Sequence, residues 1–113
     1  RRILLQTKTL ILTPRYLVEL SDDICAIIPL PEVLWIYDHA AMRRTIKGRQ
    51  LSYTIHVVTM KGEEYTLTGK SHREVSAIYH ELNTRYPNFF FGYSKEHQEM
   101  VQYVLHEMKN EKA

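Results

Sequence analysis

The hydrophobic period of this chain changes once, at Ser71, and that change constrains the fold more than any other feature. Before it, apolar and polar residues alternate in short runs broken by Pro and Gly; after it, apolar residues recur every three to four positions. Side chains alternate across a strand but return to one face of a helix every 3.6 residues. The first part of the chain is therefore expected to be sheet, from about residue 2 to 69, and the rest helix.

The sheet part divides into about six or seven short strands. "ILLQTKTLIL" is apolar and β-branched and stops at Pro14, which suits a turn. "RYLVEL" follows, then "SDD", where Asp22 and Asp23 are expected to cap a turn or face water. "ICAII" is closed by "PLPE", whose two prolines forbid regular pairing and mark a crossover bend. In "VLWIYDHAA", alternation puts Val33, Trp35, Tyr37 and His39 on one face and Leu34, Ile36, Asp38 and Ala40 on the other. Both faces begin apolar, as in a strand covered on both sides. The polar segment "MRRTIKGR" separates it from "QLSYTIHVVTM", where Leu51, Tyr53, Ile55 and Val57 form one buried stripe. "KGEE" turns around Gly62 into "YTLTG", which makes an antiparallel hairpin.

From Ser71, "SHRE" matches a capping box: Ser71 accepts from the amide three residues on while Glu74 reaches back. Val75, Ile78, Tyr79, Leu82 and Tyr86 mark the buried stripe of a helix over about 71–86, which Pro87 ends. A connector over 87–93 holds "YPNFFFGYS", in which Phe89 and Phe91 share a face and Phe90 takes the opposite one. Either Phe89 and Phe91 or Phe90 is expected to latch the last helix, about 94–110, by docking under Met100, Val101 and Val104. Exposure of Phe90 or Tyr93 would instead make them contacts for a ligand.

With 113 residues the chain forms a single domain over 1–113, large enough to bury roughly 65% of its unfolded surface. The net charge of +2 is too small to imply nucleic acid, and basic and aromatic residues do not interleave along one strand face as a single-strand platform requires. The single cysteine, Cys25, excludes an internal disulfide and suits a reducing compartment; its apolar strand points to a buried, inert thiol. No apolar run approaches the roughly 20 residues needed to span a bilayer. The chain opens at Arg1 without a methionine, as expected of a part excised from a longer protein. A membrane span upstream would make Arg1 and Arg2 juxtamembrane charges on the cytoplasmic side.

The order of elements, "LTPRYLVEL", the bend "IIPLPEVLWIY", the hairpin "KGEEYTL" and the amphipathic helix after it resemble a pleckstrin-homology-like (PH-like) domain. "IPLPEVLWIY" and "YPNFFFGYS" are similar to PH-like domains of poorly characterised bacterial proteins, some of them membrane-anchored. The resemblance, over roughly Thr9 to Ser94, implies an α+β fold: a curled antiparallel sheet closed by the first helix, with a second C-terminal helix. It also implies a non-enzymatic interaction module, as the cytoplasmic domain of a membrane-associated protein.

Charge is locally uneven. Between His39 and Gly62 stand Arg43, Arg44, Lys47, Arg49 and Lys61 and no acid. Arg43, Arg44, Lys47 and Arg49 form the candidate anion-binding loop, with guanidinium forks for phosphate and Gly48 for close backbone approach; Lys61 belongs at the other end of the shared strand. The plainer alternative is a solvated hairpin tip. PH-like lipid loops lie between the first two strands, whereas this one lies between the fourth and fifth. The histidines give no metal motif: His72 and His80 are eight residues apart, a helix rise of about 12 Å, and His97 and His106 are nine apart. No nucleophile elbow, glycine-rich phosphate cradle or paired carboxylate is present, so no catalytic residue and no cofactor is assigned. Tyr53, Tyr65 and Tyr79 fall on inward stripes, and Trp35 is expected to pack with its indole N–H bonded. Binding of a protein or peptide beside a strand edge is the first expectation, an anionic membrane surface the second, and small-molecule hydrolysis a distant third.

Overall fold

The computed structural model describes residues 2–21 and 24–112, so Arg1 and the expected Asp22–Asp23 turn lie outside the described residues. The elements are β1 (Leu5–Gln6), β2 (Leu10–Leu12), β3 (Tyr16–Ser21), β4 (Ile24–Pro29), a 3-10 turn (Leu30–Glu32), β5 (Val33–Thr45), β6 (Gly48–Thr59), β7 (Glu64–Lys70), α1 (His72–Arg85), β8 (Phe90–Phe91) and α2 (Lys95–Lys112). The strands form two four-stranded sheets, β1-β2-β3-β4 and β7-β6-β5-β8; every pairing is antiparallel except that of β8 with β5. The fold is α+β, with both helices after the main strands. No helix among the described residues is long and apolar enough to cross a membrane.

Leu10, Leu12, Leu17 and Ile28 of the first sheet meet Ile36, Ile55, Val57 and Leu67 of the second, and Val75, Ile78 and Leu82 of α1 close the core. The capping box at Ser71 and Glu74 is present in both directions. At its far end α1 is tied back by Tyr86, whose hydroxyl donates to the Pro14 carbonyl at 2.7 Å. A second cluster lies on the opposite face of β5–β6, where Leu34, Trp35 and Val58 receive Val101 of α2 together with Phe90, Val104 and Leu105.

Several expectations change. "ILLQTKTLIL" is broken into β1 and β2 because the Thr7 hydroxyl accepts from the Thr9 and Leu10 amides and holds a turn between them. A register shift between Val33 and Trp35 reverses the parity of the strand start: Val33 joins Ile36 in the main core, and Leu34 joins Trp35 under α2. Cys25 is exposed on the edge strand β4, not buried. Met100 is exposed, so α2 packs through Val101, Val104 and Leu105. The phenylalanines divide between faces as expected, and of the two arrangements it is Phe90 that lies under α2 while Phe89 and Phe91 dock on the main core.

A second irregularity sets the polar interior. The β6–β7 register shifts between Tyr53 and Ile55, and Gly69 takes φ +69°, in the left-handed region that glycine tolerates best. Leu67 pairs with Ile55 and Lys70 with Tyr53, so the extra residue turns Lys70 to the inner face that strict alternation would deny it. Its side chain is 0% exposed, and its ammonium lies 2.6 Å from Glu19 on β3, itself 4% exposed. Beside it, Glu74 accepts from Thr7 at 2.5 Å, Thr9 at 2.8 Å and the Ser71 amide at 2.8 Å. Burial works against this carboxylate's charge, but the hydrogen bonds from Thr7, Ser71 and Thr9 outweigh it and hold its pKa below the ordinary value.

Replacing one member of the buried pair leaves the other charge desolvated. Lys70→Met is expected to cost about 3–5 kcal/mol in urea unfolding at pH 7, and the double variant Lys70→Met, Glu19→Leu to recover most of that loss. Full additivity of the two single losses would show that the side chains act independently. For Glu74, a depressed folded-state pKa gives stability that is present above the ordinary carboxylate pKa and lost as pH falls through the folded value. Glu74→Gln is thus expected to cost about 1–2 kcal/mol at pH 7, with the gap closing in urea melts as pH falls below the ordinary carboxylate value.

Candidate functional site

The long hairpin β5–β6 carries the candidate site. β8 pairs with β5 only at Trp35 and Ile36, and β7 accompanies β6 only as far as Tyr53. The pairs from Ala41↔Ser52 to Thr45↔Gly48 therefore continue beyond β7 and β8 as a two-stranded arm about 15 Å long, which shares a cavity with Lys70, Ser71 and Glu74. The expected loop "MRRTIKGR" is for the most part strand, and only Ile46 and Lys47 connect its two sides. Leu51, expected in the buried stripe, is 54% exposed because its part of β6 lies on the arm.

Register assigns the arm's side chains to faces. Arg44↔Arg49 and Met42↔Leu51 continue the inner face that carries Ile36 and Ile55 into the core, whereas Arg43↔Gln50 continues the outer face of Trp35 and Tyr37. The arm is exposed except at half-buried Thr45 and Ser52, with Met42 at 59% and Ile46 fully open at the tip. Among the described residues, Arg43, Arg44, Lys47 and Arg49 form no ion pair, whereas Lys61, at the opposite end of β6, lies 3.6 Å from Glu32. Two guanidinium groups directly opposite each other, with no acid between them, destabilise a strand pair by roughly 0.2–1 kcal/mol. An anion placed there would relieve that repulsion.

The arm also leaves a backbone edge open. The Gly92 amide donates to the Ile36 carbonyl at 2.8 Å, which fixes the edge of β5 toward which Ile36 points its polar groups. Since these groups alternate sides along a strand and the β5–β6 register is unbroken from Trp35 to Thr45, those of Asp38, Ala40, Met42 and Arg44 face the same edge. Past Ile36, no strand pairs with this edge among the described residues. Gly92, at φ +81°, turns the chain away from it. Beside the edge lies a groove of about 320 Å³ lined by Asp38, Tyr79, Asn83, Phe91 and Gly92. The Tyr79 hydroxyl donates a short hydrogen bond to Asp38. Burial, and then the Asp38 carboxylate, push the Tyr79 pKa far above the ordinary tyrosine value, so the hydroxyl stays protonated as a donor.

On the outer face, Trp35, Tyr37, His56 and His39 form a ladder of rings with successive centroids 4.3, 4.6 and 5.0 Å apart. The Trp35 indole N–H donates to the Gly92 carbonyl at 2.9 Å. His56 Nε2 lies 3.0 Å from His39 Nδ1, while its Nδ1 lies 3.4 Å from Glu64. These nitrogens point to different partners, so the group is a chain of contacts and its donors do not converge on a point. Among the described residues no three His, Cys, Asp or Glu side chains gather to hold a metal ion. Burial, followed by Glu64 and Tyr93, raises the Tyr37 pKa.

The sequence-derived candidates thus separate. Arg43, Arg44, Lys47 and Arg49 lie together on the arm but on different faces of it. Phe90 is half-buried under α2, and only Tyr93 of the aromatic pair is open, 60% exposed beside Trp35 and Tyr37. Sequence reasoning missed the free edge and its Asp38–Tyr79 bond. A two-residue strand such as β8 has too short a pattern to reveal what it pairs with.

The contribution of a raised tyrosine pKa is complete below the ordinary value near 10 and is lost as pH rises through the folded one. In an alkaline absorbance titration, one tyrosine is expected to ionise after all the others, and Tyr79→Phe to remove that late step. The same variant is expected to lose about 1–2 kcal/mol at pH 7, since Asp38 then lacks its donor.

Residues 7–101 match the family model described as "Domain of unknown function (DUF6709)". No curated protein and no solved structure gives a match. The family match covers well over half of the 113 residues, and the chain belongs to the DUF6709 family of domains of unknown function.

Proposed function

We propose that this chain is a non-enzymatic interaction module that takes an extended segment of a protein partner onto the free edge of β5. One observation carries the reading: the chain's own β8 already docks on that edge as a parallel strand and then leaves it, so the same geometry stands open from Ala40 onward, past Asp38, whose amide is already bonded to the Tyr79 hydroxyl. Main-chain hydrogen bonds would supply affinity, and the groove beside Tyr79 and Asn83 would select side chains. The PH-like resemblance of the sequence supports the same class, as does the absence of any catalytic motif. A reducing, cytoplasmic setting suits a single exposed cysteine, with the domain either free there or joined to a membrane-anchored chain.

A second reading is favoured by the arm tip, where fully exposed Ile46 sits among Lys47, Arg44 and Arg49. That combination fits an anionic phospholipid surface, each basic side chain near it contributing about 1 kcal/mol.

Proline separates the two. At Ala40, whose N–H faces the free edge, proline removes no bond to β6, so Ala40→Pro is expected to keep the fold while blocking strand addition. Peptides selected from a displayed random library on the 113-residue chain are expected to lose binding to Ala40→Pro and to keep most of it in 0.5 M NaCl. Binding that survives Ala40→Pro, but falls with salt and moves to phosphatidylserine vesicles, would transfer the function to the arm tip.

A further inference from the structure

The open edge and the unneutralised arginines belong to one strand pair, and their arrangement specifies more than a generic peptide. A segment lying along β5 beyond the Tyr79–Asp38 contact would place its residues opposite Ala40 through Arg44. On the inner face it would run beside Met42, then beside Arg44 with Arg49 across the hairpin; on the outer face it would meet Arg43. Each of these arginines lacks an acidic partner among the described residues. The one acid on this edge, Asp38, sits at its inner end and already accepts from Tyr79. The field along the edge is therefore positive from Ala40 outward, and an occupant is discriminated by the sign of its side chains there.

We infer that the partner segment is acidic: an extended stretch with an apolar residue opposite Met42 and carboxylates opposite Arg43 and Arg44. The inference rests on the edge-docking reading above and names the chemistry of its occupant. A carboxylate opposite Arg44 would also lie near Arg49, and so relieve the repulsion of the cross-strand arginine pair while accepting forked hydrogen bonds. The exposed pair Met42 and Leu51 would cover the apolar residue one step nearer the body. Basic segments and anionic lipid meet the same strand differently: the first is repelled, and the second has no backbone to pair with the edge.

The test uses two capped nine-residue peptides of alternating valine and threonine. One carries three aspartates in its C-terminal half and the other three lysines at the same positions. Both are titrated into the 15N-labelled 113-residue chain, with phosphatidylserine vesicles as a third probe. The aspartate peptide is expected to shift the Ala40, Met42 and Arg44 amides and to bind at least about fivefold more tightly than the lysine peptide at low salt, the ratio shrinking toward one in 0.5 M NaCl. In the double variant Arg44→Glu, Arg49→Glu the preference is expected to reverse, a compensation that partial unfolding could not produce. Equal binding of the two peptides, both lost in Ala40→Pro, would overturn the acidic assignment while leaving the edge reading standing. Aspartate-peptide binding unchanged in Ala40→Pro would overturn the edge reading instead. Vesicle binding with no response to either peptide would overturn both.

Discussion

Glu19 and Lys70 stand on different sheets, fifty-one positions apart in sequence, and meet at 2.6 Å where almost no water reaches them. A buried ion pair contributes little net stability, because the desolvation of both charges nearly offsets their attraction. Its effect here is on specificity. Lys70 can be inside only because the irregularity at Gly69 turns it there, and it can remain charged inside only if β3 presents Glu19 at the same depth. Any packing of the two sheets that slid one against the other would leave both charges unpaired. Around this point Thr9 gives its carbonyl to Lys70 and its hydroxyl to Glu74, and Glu74 caps α1. The position of the first sheet, the end of the second and the start of the helix are thus fixed by one polar cluster.

The far end of the molecule is held by apolar means, and those determine where the candidate site lies. Phe89 and Phe91 face the main core, Phe90 faces α2, and the indole of Trp35 bonds the Gly92 carbonyl. This arrangement seats β8 on the edge of β5 and then directs the chain away toward α2. The edge is covered for two residues and left open beyond them. The same geometry that latches the last helix therefore creates the open strand, and the length of β5 and β6 carries that strand past the core, where its side chains need only suit water or a partner.

Much of this was readable in the residues. The capping box at Ser71, the stripe Val75, Ile78 and Leu82, the hairpin at Gly62 and the division of the phenylalanines follow from local geometry, which depends on neighbours only a few positions apart. What was misread shares a different character. Leu51 has the pattern of a buried strand residue but lies past the last β6–β7 pair, where it is left more than half exposed. Cys25 sits in an apolar run that forms an edge. Val33 and Leu34 exchange faces because one irregular pair precedes Trp35. In each case the error concerns which surface is covered, and by what.

The sequence by itself determined the order and type of the elements, the capping box that starts α1, and the concentration of positive charge between His39 and Gly62. These depend on backbone propensity, side-chain period and composition, all of which act locally. Only the tertiary structure decided that the basic segment is a paired arm instead of a loop, that Lys70 is buried against Glu19, and that β5 keeps a free edge beside Tyr79. Each of these depends on pairing between distant segments, and a shift of one residue in register exchanges the inside of a strand with its outside.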